Sequence, residues 1–236
     1  MNILFHRLLR KGSSLNRKYF GSILINNRIK ILNHYQIQTV LDVGANTGQF
    51  AYYTRHTGYK NKIISFEPLT EAFALLSKFA CHDKKWDIVN AAIGDTDGEV
   101  EINISDNLQS SSILDMMPHH LKSAPESAYH GSEFVKIYRL DTIIKKYATN
   151  LEKTFLKIDT QGFEKNVLVG AENSLKRLKG IQLELSLVEL YKGETLFNEM
   201  LTFIVDMGFV LHSLEPGFHD KKSGQLLQVD AIFYRK

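Results

Sequence analysis

The sequence has one cysteine, Cys81, among 236 residues. An internal disulfide framework is therefore excluded, and the usage fits a reducing compartment such as the cytoplasm. No apolar run reaches the roughly 18 residues that a membrane-spanning helix needs. Nine histidines are present, but no His-Glu-x-x-His pair occurs and His119-His120 have no spaced partners, so there is no metal signature. Charge of one sign is also lacking. Lys and Arg number 29 against 26 Asp and Glu, a formal net charge of +3, which is no footprint for nucleic acid. The chain has no internal repeat, no low-complexity linker and no Gly-x-x-x-x-Gly-Lys-Ser/Thr phosphate loop.

What is present suits one domain with an extension, since 44% of residues are hydrophobic, enough for a sizeable core. The extension covers 1–36 and the domain 37–236. Within the first twenty residues Arg7, Arg10, Lys11, Arg17 and Lys18 occur with no acid, and Ile3, Leu4, Phe5, Leu8 and Leu9 could share a helical face. His6 and Arg7 interrupt the apolar part too early for a secretion signal. Two readings stand: a peripheral membrane contact through residues 1–20, and an N-terminal helix docked on the domain, which is preferred.

From Thr39 onward, apolar runs alternate with helical stretches, the pattern of β-α-β units and a parallel sheet. Strands are expected near 39–43, 62–66, 87–91, 154–158 and 180–186, and helices near 48–58, 69–80, 140–148, 163–178 and 196–207. The end differs, because 208–214 and 226–236 read as two strands joined by a loop from Glu215 to Gly224 with no helix between. An insertion over 98–139 separates the third and fourth strands. In it 98–105 alternates like a half-exposed strand, 106–133 reads as a polar mobile loop, and 134–144 returns as a strand running into a helix. Loops of that length are often lids.

Two strand ends carry acids before glycine turns. In TVLDVGANTGQF, from Thr39 to Phe50, an apolar run ends at Asp42, and Gly44, Ala45, Asn46, Thr47 and Gly48 lead into a helix. Gly44 permits a tight turn, Gly48 permits close backbone approach, and Asn46 tolerates left-handed backbone. A dinucleotide site would receive a pyrophosphate at such a turn. Asp42 would repel it, whereas S-adenosylmethionine has no phosphate and carries two cationic groups. Glu67, at the end of the second strand beside Pro68, is placed to accept hydrogen bonds from both hydroxyls of a ribose. Small Ala91 and Ala92 leave room for an adenine face, while Asp95 and Asp97 read as turn residues.

The second case is FLKIDTQGFE, from Phe155 to Glu164. Lys157 interrupts an apolar run that ends at Asp159, and Thr160, Gln161 and Gly162 follow. Further along, Glu184 sits inside the apolar IQLELSL and needs a partner if buried; it reads as a core acid or a second catalytic acid. Asp230 poses the same question and reads as exposed.

These stretches, LDVGANTGQF, SFEP, NAAIGD, SSSIL, YRLDTI, FLKIDTQGFEKNVLVGA, LELSLVELYKGE and QVDAIFYRK, resemble the FkbM family of class I S-adenosylmethionine-dependent methyltransferases. The resemblance implies a Rossmann-like, seven-stranded, mostly parallel sheet with an antiparallel last strand and helices on both faces. It implies O-methylation, often of a sugar hydroxyl on a polysaccharide, glycolipid or natural-product glycoside. Carried over by position, Asp42, Gly44, Asn46, Gly48 and Glu67 would hold the cofactor, with Ala45, Pro68, Ala91 and Ala92 beside them. Asp159 would face the acceptor. From its own setting in an apolar strand, and not from the resemblance, Glu184 is expected as a second catalytic acid.

Three roles stand for Asp159: general base, orienting acceptor, and ligand of a magnesium ion shared with Glu184. The last lacks a diagnostic spacing. A fourth, a helix cap, is the purely structural reading. Gln161, Ser110, Ser111 and Ser112 are expected at the acceptor entrance. Two other functions compete: a catalytically silent adenosine-cofactor-binding assembly protein, and a nicotinamide oxidoreductase, which Asp42 disfavours.

Overall fold

The computed structural model describes residues 27–148 and 150–235. The reading of residues 1–20 as a membrane contact lies outside them. Among the described residues no helix is long and apolar enough to cross a membrane.

A seven-stranded sheet forms the centre. Its strands are β1 (Thr39–Val43), β2 (Lys62–Phe66), β3 (Trp86–Val89), β7 (Thr154–Ile158), β8 (Gly180–Ser186), β9 (Phe209–Pro216) and β10 (Gln228–Arg235). They lie in the order β3-β2-β1-β7-β8-β10-β9. All neighbouring pairs from β3 to β8 are parallel, and β10 runs antiparallel to β8 and β9. This is the expected α/β architecture, with the last strand inserted as a reversed ribbon.

Helices cover both faces because successive strand residues point to opposite sides. Leu41, Val43, Leu156, Ile158, Ile181 and Leu183 face one core together with α6 (Glu164–Gly170), α7 (Glu172–Leu175) and α8 (Phe197–Asp206). Val40, Ile63, Phe155 and Ile232 face the other, against α1 (27–34), α2 (Gln49–His56) and α3 (Thr70–Ala80). Each fully buried Leu, Ile or Phe there contributes roughly 1.5–3 kcal/mol. Ile29 and Leu32 of α1 belong to this second core, so the described end of the N-terminal extension is part of the domain's packing.

On that second face the alternation turns polar toward the carboxyl ends of the strands. Asp42 and Lys157 follow Val40 and Phe155 by two residues, Gln182 and Glu184 follow Gly180, the partner of Phe155, by two and four, and Asp230 precedes Ile232 by two. Their strands are in register: Asp42 stands beside Lys157, Lys157 beside Gln182, and Glu184 beside Asp230.

The insertion is more structured than its composition suggests. β4 (Ala92–Gly94), β5 (Gly98–Ser105) and β6 (Tyr129–Arg139) form a separate sheet in the order β4-β6-β5. Within the stretch expected as a loop lies α4 (Pro118–Ser123). Asn107 replaces a hydrophobic centre there: its side chain accepts from the Ser110 amide and the Ser105 hydroxyl and donates to the hydroxyls of Ser110 and Ser127. The helix expected over 163–178 is broken at Ala171 into α6 and α7. The helix expected over 140–148 is one turn, α5 (Leu140–Ile143), followed by a tighter turn.

Candidate active site

The turn after β1 is built by backbone geometry. Gly44 has φ +73°, and a Cβ there would lie 1.8 Å from the carbonyl oxygen of Asp159. Only glycine lets the two strand tips approach this closely. Asn46 is left-handed at φ +49°. Its side chain accepts from the Thr47 amide and donates to the Leu108 carbonyl, latching the insertion to the turn. Gly48 also has positive φ, but the space beside it is filled by Leu76 and Trp86, away from the cleft.

Above this turn lies a cleft with about 580 Å³ of empty space, partly open to solvent. Gly44, Asn46, Glu67, Pro68, Ala91 and Ala92 line it, joined by Ser111 and Ser112 from the insertion and by Asp159 and Gln161. Glu67 is 4% exposed. Its two oxygens accept from the Asn46 amide at 2.7 Å and the Leu69 amide at 2.9 Å, so it braces the turn. Burial raises its pKa to about 7 against the opposing pull of those amides. The charged residues of this lining are Glu67 and Asp159; neither Lys nor Arg is among them. Such a lining offers a pyrophosphate no counter-charge and suits a nucleoside attached to a cationic group.

Asp42 does not line the cleft. It is fully buried beneath the turn, accepts from Ser65 at 3.0 Å and lies 3.2 Å from the Lys157 ammonium. Its charge is spent inside the protein, so whatever it does for a ligand passes through Lys157. The lysine is itself buried, 3.1 Å from the Gly44 carbonyl and 3.4 Å from Asp159. Burial pulls its pKa down, but Asp42 and Asp159 more than offset this and hold it above the ordinary lysine range.

Asp159 stands at the centre. One oxygen accepts from Gln161 Nε2 at 2.8 Å, and the other faces Lys157. It does not cap α6. Glu164 serves that end instead, accepting from the Thr160 amide at 2.7 Å and the Gly162 amide at 3.3 Å. The same Gln161 nitrogen donates to Glu184 at 2.8 Å, so one amide spans both carboxylates. Burial, then the charges of Asp159, Asp230 and Glu164, push the Glu184 pKa well above the usual carboxylate range. Asp230 is likewise raised by burial, whereas the sequence suggested an exposed position.

Gln161 is held on all sides. Its backbone is left-handed at φ +56°, its carbonyl accepts from Ser112 at 2.7 Å, and its side-chain oxygen accepts from the Tyr191 hydroxyl at 2.6 Å. Tyr191 is fully buried and escaped sequence reasoning, because nothing in its neighbourhood marks a tyrosine as functional. Lys157 was visible as a charge inside an apolar strand, although its partners were not. Ser110 faces inward to Ser127 at 2.9 Å and lines neither the cleft nor the cavity behind it.

A second cavity opens on the other side of Asp159. It shares Gly44, Asn46, Gln109, Asp159 and Gln161 with the cleft, and adds Ala45, Lys157 and Glu184. Among the described residues no cluster of three His, Cys, Asp or Glu is arranged to hold a metal ion.

The methyltransferase FkbM domain matches this chain over residues 42–211. A relative, 2-O-methyltransferase NoeI from Sinorhizobium fredii (strain NBRC 101917 / NGR234), is 24% identical over 209 residues, covering 86% of this chain and 85% of its own. Among solved structures, TehB from Haemophilus influenzae aligns with a TM-score of 0.49 at 10% identity, over 90% of this chain and 61% of that one. An rRNA methylase from Streptococcus thermophilus aligns with a TM-score of 0.48 at 10% identity, over 88% and 93%. Since the domain match spans well over half of its residues and includes the turn, Glu67, Asp159 and Gln161, this chain belongs to the methyltransferase FkbM domain family.

Proposed function

We propose that this protein is an S-adenosylmethionine-dependent O-methyltransferase whose acceptor is a sugar hydroxyl. The observation that carries the reading is the position of Asp159, whose carboxylate borders both the phosphate-averse cleft and the polar cavity behind it. The printed activity of the relative NoeI, 2-O-methylation, supports oxygen as the atom methylated.

S-adenosylmethionine supplies, when bound, a methyl group on a positively charged sulfur that leaves as a neutral thioether once an alcohol oxygen has attacked in line. The residues of the chain do the rest. Glu67, with its remaining lone pairs toward the cleft, would accept from the ribose hydroxyls. Ala91 and Ala92 would flank the adenine. Asp159 would orient the acceptor hydroxyl and take its proton as the new carbon–oxygen bond forms. Gln161, clamped by Tyr191 and Ser112, keeps that carboxylate in one rotamer, which favours in-line geometry.

Titration calorimetry with S-adenosylmethionine, its demethylated product and NAD tests the cofactor. Binding of the first two in the micromolar range, about −8 kcal/mol, is expected; binding of NAD alone would overturn the reading. Mass spectrometry of glycosides incubated with isotope-labelled donor tests the reaction, with a gain of one labelled methyl per acceptor as the expected result.

A further inference from the structure

The cavity behind Asp159 contains groups that the fold leaves without partners. Gln182 is 2% exposed and lines it. Its amide nitrogen donates to Asp230 at 2.9 Å, while its buried oxygen Oε1 accepts nothing. A buried amide oxygen left without a donor keeps its full desolvation cost, so a site of this kind is built for a ligand that donates. On another wall, Arg28 donates through Nη2 to Glu215 at 3.0 Å and lies over the Phe50 ring, but its buried Nε has no acceptor.

The charges of the lining are unequal. Asp159, Glu184 and Asp230 are its carboxylates, and Lys157 and Arg28 its cations. Each cation is already paired with a further acid, Lys157 with Asp42 and Arg28 with Glu215. An anionic ligand would therefore enter a field of surplus negative charge, while hydroxyl groups would find free acceptors and one free donor.

We propose that this cavity, bounded by Arg28, Gln182, Glu184 and Asp230, is the acceptor subsite, and that it takes a neutral, hydroxyl-rich glycosyl unit in preference to a uronate or a sugar phosphate. The inference rests on the methyltransferase reading above and names the substrate class for that same site.

Strand spacing separates this occupant from the amino-acid end of the methyl donor. Glu67 follows β2 and Asp230 lies on β10, four strands away in the order β2-β1-β7-β8-β10. At about 4.8 Å per strand that is roughly 19 Å. From the ribose to its carboxylate, S-adenosylmethionine has about six bonds, an extended reach of roughly 8 Å. With roughly 7 Å more for the ribose and its hydrogen bond, an extended donor anchored at Glu67 passes β7 and Asp159 and ends near β8, and leaves the part of the cavity over β10 for another molecule.

The test is calorimetry on the protein saturated with S-adenosylhomocysteine, which binds without turnover. The titrants are a panel of neutral methyl hexosides, the matching methyl hexuronides and the hexoside 6-phosphates. At least one neutral glycoside should bind the wild type, and its uronide and phosphate counterparts should bind at least tenfold more weakly. Gln182→Met should weaken glycoside binding at least tenfold while S-adenosylhomocysteine affinity stays within twofold. If that variant does not fold, judged by melting and near-ultraviolet circular dichroism, Asp230→Asn carries the same comparison.

Cofactor binding by the wild type with no neutral glycoside bound would overturn the proposal. Equal binding of the anionic glycosides would overturn it as well. A tenfold loss of cofactor affinity in either variant would assign the cavity to the donor's amino-acid end instead. Failure of the wild type to bind the cofactor would sink the methyltransferase reading by itself. The glycoside titrations without cofactor would then decide the cavity alone, with binding lost in Gln182→Met as the supporting result and unchanged or absent binding as the opposing one.

Discussion

Asp159→Asn keeps the shape of the side chain and removes its charge and basicity. A base or charged orienting group should then lose roughly 10²–10⁴-fold in turnover with cofactor affinity nearly intact. A cap would have tolerated Asn, but Glu164 and not Asp159 holds the amides at the start of α6. Tyr191→Phe tests the support behind it. Removing the hydroxyl leaves the Gln161 oxygen without its donor and frees the amide to turn. We expect a loss of about 1–3 kcal/mol in unfolding free energy. Turnover should also fall, with cofactor affinity held, when both are measured on the same preparation; unchanged turnover would reduce Tyr191 to a packing residue. At this scale the sequence showed the acids at the strand ends, since a carboxylate after an apolar run has few structural reasons to be there. It did not show that Asp42 faces inward to Lys157, or that Gln161 joins Asp159 to Glu184, because both depend on strands brought together from more than a hundred and from about twenty residues away.

Among the elements, the tip of β1 is the most constrained. Gly44→Ala would place a methyl group against the Asp159 carbonyl on a left-handed backbone. The backbone strain alone costs about 1–3 kcal/mol, and relieving the overlap must part β1 from β7. Gly58, at φ +109° with nothing within 4 Å, supplies the control, since alanine there carries strain without overlap. Urea unfolding should show a larger drop in midpoint for Gly44→Ala than for Gly58→Ala, and calorimetry should show lost cofactor binding only in the former. Most strands and helices were legible from periodicity, with boundaries shifted by a few residues. In the insertion β5 was legible from its alternation, and β6 was legible in part, since it begins five residues before the expected 134. α4 was not: it is six residues long, in a stretch held by Asn107 and serine hydroxyls, so no period of 3.6 stands out.

For the molecule as a whole, buried carboxylates set a pH dependence. Glu67 has its pKa raised by burial to about 7, from an unperturbed 4.5. The native state therefore binds its proton more tightly than the unfolded chain does. The stability this confers is fully present below pH 4.5 and is lost as the pH rises through 7. Glu164 behaves in the same way. His120, lowered to about 4 by burial, acts in the opposite sense, losing stability as the pH falls through the window from 6.5 to 4. A comparison with Glu67→Gln cancels the other groups. Between pH 4.5 and 7 the ligand-free wild type should lose stability more steeply than the variant, by up to about 1.4 kcal/mol per pH unit. Calorimetric melting at matched ionic strength measures both slopes, and parallel curves would mean that Glu67 titrates normally.

The sequence by itself determined the α/β class, the glycine turn, the acids at the ends of β1, β2 and β7, and the reversed pair of strands at the end. These are written in local periodicity and in residue types with narrow backbone tolerances. Only the tertiary structure decided which acids meet ligand and which meet lysine. Side chains alternate across a sheet, and whether an inward position opens on a cavity or a core depends on what covers it. Thus Asp42 and Lys157 neutralise one another under the turn, while Gln182 and Asp230, one and two strands beyond Lys157, border open space.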